Sequence, residues 1–235
     1  MSDGAKVKTW IKCIQDGEFH RFQEEMSRDL NRNLSIQDES GRKILHWASS
    51  LGSFELVEWL LQKGADVDPV DEALWTPLII ASSAGNEKIV RILLSFGALV
   101  DAKTDQGRTA LFYACSRNRI SIVKLLENVN ADVNIQDKLG ATSLHRATGV
   151  GHVELMNYLL NHFSNKINAN LQDNIGNTPL HIACEEINFQ CVEVLLKIGC
   201  DPSITNKEGK KAIELAPIDM QRKLQSYIDR FVIPK

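Results

Sequence analysis

Apolar residues recur along this chain in pairs of short helical stretches, each followed by a glycine. In one early pair, the first stretch opens at Leu45 and is followed by Gly52. The second stretch ends at Gly64 and carries apolar residues at helical spacing, namely Phe54, Leu56, Val57, Leu60 and Leu61. Spacings of three and four residues place these side chains on one helix face, and glycine often ends a helix because positive φ costs it little. The pattern therefore predicts an inner and an outer helix, whose apolar face neighbouring units must cover.

The start of the inner helix carries a motif that recurs along the chain. Its clearest form is N-T-P-L-H-I-A at 177–183, and the copies begin at 43, 76, 109, 142, 178 and 211, which are 33 residues apart except for one step of 36. The three extra residues fall within 161–170 and predict a longer outer-helix end or loop. A period of about 33 residues with a T-P-L-H-x-A core is the signature of ankyrin repeats, each a turn plus two helices. By this resemblance we predict an all-α ankyrin-repeat solenoid of about seven repeats with β-hairpin turns, curved, with a concave binding face.

We predict a single array over residues 1–235. Its units are a cap at about 5–37, repeats at 38–70, 71–103, 104–136, 137–172 and 173–205, and a seventh repeat with a C-terminal cap helix at 206–235. The first unit is degenerate, but it keeps apolar stretches around Trp10 and Cys13 and around Phe22 and Met26, and its many charges suit a terminal cap. Pro217 shortens the last unit because proline cannot continue a helix, and apolar residues at 224, 228 and 231 predict a closing amphipathic helix.

Several turns lack the glycine that the pattern expects. Leu74 stands where other units have glycine and precedes Trp75, so we expect two large apolar side chains at one exposed hairpin tip. Asn118 and Asn130 replace helix-ending glycines, and asparagine tolerates the left-handed conformation better than most residues. Ile187 replaces an inter-helix glycine, and we expect it to strain that turn or to reshape it.

Composition narrows the class of protein. The chain has 43% apolar and 24% charged residues, and its net charge of −3 argues against a generic nucleic-acid binder. No run approaches the roughly 18 apolar residues of a membrane span, and the N-terminus lacks the apolar core of a signal peptide. The five cysteines form no C-x-x-C pair, which indicates free thiols in a reducing compartment. We therefore expect a cytoplasmic and nuclear protein with no membrane or nucleic-acid partner.

Three histidines are the obvious candidates for metal binding or catalysis. His46, His145 and His181 occupy the same position in their units, where one other unit has Phe112. Packed helices lie about 8–10 Å apart, so even adjacent units would not bring two imidazoles to one metal ion. Cys184 lies three residues from His181, but no third group that would orient a catalytic dyad is evident. We expect each imidazole to hydrogen-bond the backbone of the next turn, and we predict no cofactor and no enzymatic activity.

What remains is protein recognition at the positions that the repeat framework leaves free, on the hairpin tips and the exposed ends of inner helices. The middle of this predicted surface is basic and both ends carry glutamate, and Trp and Arg are enriched at interface hot spots. The predicted protein-binding residues are Glu39, Arg42, Glu72, Trp75, Arg108, Arg117, Arg119, Leu139, Arg146, Glu185 and Glu186. Complementary charge governs partner choice and association rate, so we expect a partner with an acidic central patch flanked by basic residues.

Five segments carry more detail than the generic repeat. They are L-H-W-A at 45–48, Trp75 before T-P-L at 76–78, S-R-N-R at 116–119, A-T-S-L-H-R-A at 141–147 and N-T-P-L-H-I-A-C-E-E at 177–186. In these the chain resembles the gankyrin-type family of chaperones that assemble the proteasome regulatory particle. In that family the concave face holds the C-terminal domain of one AAA ATPase subunit until the base docks on the core particle. The resemblance implies the same partner here, with contacts from Arg42, Glu72, Trp75, Arg117, Arg119, Arg146, Glu185 and Glu186.

Two other functions stay open. The chain is also consistent with a generic ankyrin adaptor or inhibitor that binds a kinase, a cell-cycle protein or a transcription regulator. The segment from Ile182 to Glu186 approximates the L-x-C-x-E motif that binds retinoblastoma-type pockets, although it falls in a predicted inner helix. We expect a monomer in either case.

Overall fold

The computed structural model describes residues 3–163 and 166–231, and their regular structure is helical. The contacts divide the chain into unit 1, Met1–Asp105, and unit 2, Gln106–Lys235. The helices of unit 1 are α1 Asp3–Gln15, α2 Phe19–Ser27, α3 Leu30–Ser35, α4 Ile44–Leu51, α5 Phe54–Gln62, α6 Pro77–Ala84 and α7 Glu87–Ser95. Those of unit 2 are α8 Ala110–Ser116, α9 Ile120–Asn128, α10 Ser143–Val150, α11 Val153–His162, α12 Pro179–Glu185, α13 Phe189–Lys197, a 3₁₀ helix Ala212–Leu215 and α14 Ile218–Phe231. Each predicted inner and outer helix is therefore present, and the boundaries of the repeats stay predictions.

Unit 1 begins with the predicted cap. Trp10 on α1 and Phe22 on α2 are buried, with ring centroids 6.2 Å apart, and Phe22 also contacts Trp59 of α5 at 6.0 Å. The sequence pattern did not predict α3, because the one buried residue of this helix is polar. That residue, Asn33, ties α3 to α2 by donating from Nδ2 to the Met26 carbonyl at 3.1 Å. The rest of unit 1 packs inner helices α4 and α6 against each other and against outer helices α5 and α7.

Unit 2 repeats this layering. Inner helix α10 packs between α8 and α12, and α12 packs against the 3₁₀ helix. The 3₁₀ helix replaces a full inner helix because it ends at Leu215, two residues before Pro217, which shortens this unit as predicted. Leu224 and Ile228 of α14 are buried, which confirms the closing amphipathic helix, while the side chain of Phe231 lies outside the described residues. The insertion lengthens α11 to 10 residues, against 9 in α9, and residues 164–165 are not described.

The histidines join consecutive repeats through the backbone, as predicted. Nδ1 of His46, His145 and His181 accepts the N–H of the helix N-cap residue, at 3.0, 3.1 and 3.2 Å. Nε2 then donates to a carbonyl of the next turn, that of Trp75, Asn177 or Lys210, at 3.0–3.1 Å. With both nitrogens used, each ring is held as the neutral Nε2–H tautomer, and burial lowers the pKa of all three imidazoles.

The turns without glycine keep their shape at the expense of backbone strain. Leu74, Asn118, Asn130 and Ile187 have φ of 57°, 56°, 59° and 52°, which is the left-handed region. At Ile187 the following amide, Asn188 N–H, still donates to a carbonyl five residues earlier at 2.9 Å, as His152 N–H does after Gly151 at 3.0 Å. Of the two outcomes predicted for Ile187, the structure therefore shows strain rather than a reshaped turn.

Candidate protein-binding surface

Two of the predicted binding arginines are engaged in ion pairs between repeats. The Nε groups of Arg42 and Arg108 lie 3.0 Å from Oδ2 of Asp71 and Asp137, respectively, 29 residues further along the chain in both cases. Both guanidinium groups also lie over an aromatic ring of the following helix, 5.4 Å from the centroid of Trp47 for Arg42. The corresponding distance from Arg108 to the ring of Phe112 is 5.1 Å.

Burial makes these ion pairs part of the framework. The side chains of Asp71 and Asp137 are 3% and 2% exposed, and their second oxygen, Oδ1, accepts backbone N–H groups of their own turns. Removing the arginine would leave a buried carboxylate oxygen without its partner, which is costly. Sequence reasoning assigned Arg42 and Arg108 to recognition only, although the recurrent 29-residue spacing to an aspartate was a signal for this structural role.

The other predicted residues of unit 1 lie at the hairpin turns. Glu39 and Glu72 are exposed, and Glu39 lies 3.2 Å from Lys8 Nζ. Trp75 is half-buried, so its side chain is less exposed than predicted for a hairpin tip, and its backbone N–H donates to Asp71 Oδ1 at 2.9 Å. Its neighbour Leu74 is 46% exposed and is the more exposed of the two apolar side chains.

In unit 2, Arg117 and Arg146 are brought together by the packing of α8 against α10. Arg146 Nε donates to Ser116 Oγ at 3.1 Å, and Arg117 is the next residue and caps α8. Both arginines are exposed, and neither forms an ion pair with a carboxylate in the described ranges. Arg119 is also exposed, one turn further on, at the N-cap of α9.

Glu185 and Glu186 lie at the C-terminal end of α12, the second inner helix along from α8. Both side chains are exposed, and Glu186 is the helix C-cap. Negative charge at a helix C-terminus opposes the macrodipole and destabilises the helix by about 0.3–1 kcal/mol. Helix stability therefore does not explain the presence of these two glutamates. It does explain a positive charge at Arg117, which lies at the C-terminal end of α8.

Exposed apolar side chains lie at two hairpin tips of unit 2 and at the end of α10. Leu139 and Ile175 occupy the same tip position in consecutive hairpins, and Asn174 N–H donates to the Leu139 carbonyl at 2.9 Å. Their exposed fractions are 63% and 62%, and Val150, the last residue of α10, is also exposed. All three residues occupy positions that the sequence pattern leaves free of the repeat framework, and Leu139 is the one that was included among the predicted protein-binding residues.

The chemical alternatives find little support in this geometry. Among the described residues no group of three or more His, Cys, Asp and Glu side chains could hold a metal ion. Burial raises the pKa of Cys184 to about 12, so its thiol stays protonated beside a His181 ring that is already hydrogen-bonded. The same burial, inside α12, keeps Cys184 from presenting an extended pocket-binding motif. No helix in the described ranges is long and apolar enough to cross a membrane.

Comparison with known families identifies the repeat. The family model for ankyrin repeats in three copies matches residues 45–137 and 125–206, which is most of the chain. The chain belongs to the ankyrin-repeat family. This ankyrin fold is all-helical in the described residues and is a scaffold for protein interaction.

Individual relatives match over short stretches. The chain is 42% identical to human 26S proteasome non-ATPase regulatory subunit 10 over 57 residues, which cover 23% of this chain and 25% of that protein. It is 46% identical to rat oxysterol-binding protein-related protein 1 over 52 residues, 22% of this chain and only 6% of that protein. The ankyrin repeat domain of Bcl-3, described as a unique member of the IkappaB protein family, superposes with a TM-score of 0.81 over 92% of this chain and 97% of that domain. Its 23% identity supports the fold alone.

Proposed function

We propose that this ankyrin-repeat protein is a non-enzymatic chaperone for the C-terminal domain of a proteasomal AAA ATPase subunit. The observation that carries the proposal is the surface of unit 2, where Arg117 at the end of α8 and Arg146 on α10 are exposed and form no ion pair among the described residues, and Glu185 and Glu186 are exposed at the end of α12. The short match to a human proteasome regulatory subunit supports the choice of partner. Such a chaperone would work in the cytoplasm and nucleus, as a monomer and without a cofactor.

The proposed mechanism is charge-guided capture followed by steric blocking. An acidic patch of the ATPase domain would approach Arg117 and Arg146, and basic residues beside that patch would approach Glu185 and Glu186. Exposed charges of this kind raise the association rate and reject partners of the wrong polarity. While bound, the chain would cover its partner's surface until the base docks on the core particle.

A charge reversal tests this proposal with purified components. The double variant R117E/R146E should reduce the association rate with the purified ATPase C-terminal domain at least about tenfold, and flatten the dependence of that rate on salt, in stopped-flow measurements. The matched control R32E/R222E makes the same change in net charge at exposed sites on α3 and α14, and should leave the rate within about twofold. Equal effects of the two double variants would rule out a specific basic contact.

The alternative is an ankyrin adaptor or inhibitor of a kinase, a cell-cycle protein or a transcription regulator. The similarity to the Bcl-3 domain over most of the chain is the observation in its favour, although it concerns the fold. A wild-type chain that binds no proteasomal ATPase domain, and retains a kinase or a transcription regulator instead, would favour this alternative.

A further inference from the structure

One hairpin turn of unit 1 differs from the corresponding turns at two positions at once. The turn at 71–75 carries Leu74 where five other turns have glycine, and Val70 lies four residues before Leu74. The five glycines, with φ between 75° and 84°, are Gly41, Gly107, Gly140, Gly176 and Gly209. The residues four positions before these glycines are all polar, namely Gln37, Lys103, Gln136, Gln172 and Thr205. Among these six turns, two aliphatic side chains therefore occur together in the turn at 71–75.

This turn keeps the hydrogen bonds of its counterparts but strains its backbone. Leu74 N–H donates to the Asp71 carbonyl at 2.9 Å, as Gly140 N–H donates to the Asp137 carbonyl at 2.8 Å. Asp71 N–H donates to the Trp75 carbonyl at 3.2 Å and closes the turn. Leu74 has φ of 57°, in the left-handed region that destabilises an ordinary L-residue and suits glycine. Leucine at this position is therefore unfavourable for the turn itself.

The position of Val70 joins neighbouring hairpins elsewhere in the chain. In unit 2, Gln136 Nε2 donates to the Gly140 carbonyl at 2.7 Å and to the Gln172 carbonyl of the next hairpin at 2.9 Å. Gln172 forms the two corresponding bonds at 2.6 and 2.9 Å. Because the hydrogen bonds of the turns are the same, the side chain of Val70 lies beside the backbone of Leu74. Valine has no amide, so this bridge between hairpins cannot form at residue 70.

The interior of the protein does not compensate for either change. We call Val70 and Leu74 the aliphatic pair, and their exposed fractions are 45% and 46%. Residues held in sparsely populated backbone conformations cluster at sites that contact ligands or partners, where the strain accompanies function. Two exposed aliphatic side chains on one strained hairpin therefore indicate a contact with another molecule.

Glu72 lies in the same turn and indicates what covers the aliphatic pair. Its side chain is exposed. In a twofold contact between two copies of this chain, the same patch meets itself, so the two Glu72 carboxylates would approach each other and repel. A different protein that presents an apolar side chain beside a basic residue has the complementary pattern.

We propose that the aliphatic pair is an apolar contact that sets the lifetime of the complex with the partner. An apolar side chain of the ATPase C-terminal domain packs on Val70 and Leu74, and a basic residue beside it lies near Glu72. Charges act at long range and raise the association rate, whereas a short-range apolar contact acts on the dissociation rate. This inference rests on the proposed function for the identity of the partner, and it adds a contact on unit 1 with a different kinetic role.

Two variants at Leu74 test this with the purified ATPase C-terminal domain. Leu74→Ala and Leu74→Gly both remove the leucine side chain, but only glycine relieves the left-handed backbone. In stopped-flow measurements at low and at high salt, we expect both variants to dissociate at least about fivefold faster, with association rates within about twofold of the wild type. Leu74→Gly should unfold at a higher urea concentration than Leu74→Ala, so that the loss of binding does not follow the stability.

A variant at Val70 separates binding from stability in the opposite direction. V70Q should restore the amide bridge that Gln136 forms and raise the urea midpoint above that of the wild type, while dissociation becomes at least about threefold faster. The matched control Leu99→Ala removes a leucine of unit 1 that is 64% exposed and lies outside this hairpin, and it should leave both rates within about twofold.

The outcomes separate the two claims. If the ATPase domain dissociates from the wild type, L74A and V70Q at equal rates, the inference fails while the proposed function survives. If that domain does not bind the wild type, the proposed function fails and the inference fails with it. Normal dissociation from L74G, or equally fast dissociation from L74A and L99A, would show that the leucine side chain is not the contact. A wild-type dimer that becomes a monomer in L74A would show that the aliphatic pair joins two copies of this chain, which would also overturn the inference.

Discussion

At the scale of single residues, Ile187 shows how strongly the repeat imposes its backbone on the sequence. A β-branched residue is among the least suited to positive φ, yet it adopts 52° and preserves the hydrogen bond that closes the turn. The packed helices on either side hold the turn in this conformation, so the strain is confined to the backbone of Ile187. Leu74 accepts the same conformation at a hairpin tip, with φ of 57°.

Substitutions at Ile187 should measure this strain. Ile187→Gly and Ile187→Ala both remove the side chain, but only glycine relieves the left-handed backbone. We therefore expect the glycine variant to be more stable than the alanine variant by about 1–2 kcal/mol in urea unfolding. The usual order, with alanine above glycine, would show that the turn carries no such strain.

Buried histidines should make the stability depend on pH. Burial lowers the pKa of His46, His145 and His181 below the ordinary value near 6.5, so in acid the unfolded chain binds protons that the folded chain does not. The free energy of unfolding should then fall between pH 7 and pH 5, by up to about 1.4 kcal/mol per pH unit for each histidine.

Urea unfolding at several pH values checks this dependence. His145→Gln should reduce the slope of stability against pH along with the stability itself. Stability that is constant from pH 7 to pH 5 would contradict the inter-repeat role of the imidazoles.

At the scale of elements, the repeats of unit 2 are joined by side chains that bridge one turn to the next. The histidine ring supplies one such link, and the Arg108–Asp137 ion pair supplies another. Asn177 and Asn206 form a neutral version of the second link, with Nδ2 of Asn206 donating to Oδ1 of Asn177 at 3.0 Å. The same 29-residue separation in these pairs shows that the position before the inner helix serves the framework as well as the surface.

Removing the arginine of the Arg108–Asp137 ion pair should distinguish a residue that stabilises the fold from one that lies only on the surface. Arg108→Gln should lower the free energy of unfolding by about 1–3 kcal/mol, because it leaves Oδ2 of the buried Asp137 without its ion pair. Arg117→Gln, at the exposed C-cap of α8, should change the free energy of unfolding by less than about 0.5 kcal/mol. Equal stabilities of the two variants in urea unfolding would contradict the structural role of Arg108.

The elements also show what the sequence made predictable. The helices with clear apolar periodicity, such as α5, and those that begin with the Thr-Pro-Leu-His motif, such as α12, were predicted from their spacing. Helix α3 was missed because a hydrogen-bonding asparagine, rather than an apolar face, fixes it. The half-buried state of Trp75 and the ion pair of Arg108 depend on contacts between turns, which a pattern within one repeat does not contain.

At the scale of the whole molecule, we propose that charge-guided recognition takes place on unit 2. Seven of the eleven predicted binding residues belong to this unit, Arg108 as part of the framework and the others as exposed side chains. The ankyrin fold supplies the scaffold, and we propose that the exposed charged residues of unit 2 supply the selectivity. The proposed ATPase partner follows from those charges together with the resemblance to a proteasome subunit over 57 residues.

The most direct test of this account is an affinity purification from a eukaryotic lysate, with the bound proteins identified by mass spectrometry. The account predicts that one proteasomal ATPase subunit dominates the proteins retained by the wild-type chain and is lost from R117E/R146E, while R32E/R222E retains it. Absence of every proteasomal ATPase subunit, or equal recovery by the wild type and R117E/R146E, would contradict it.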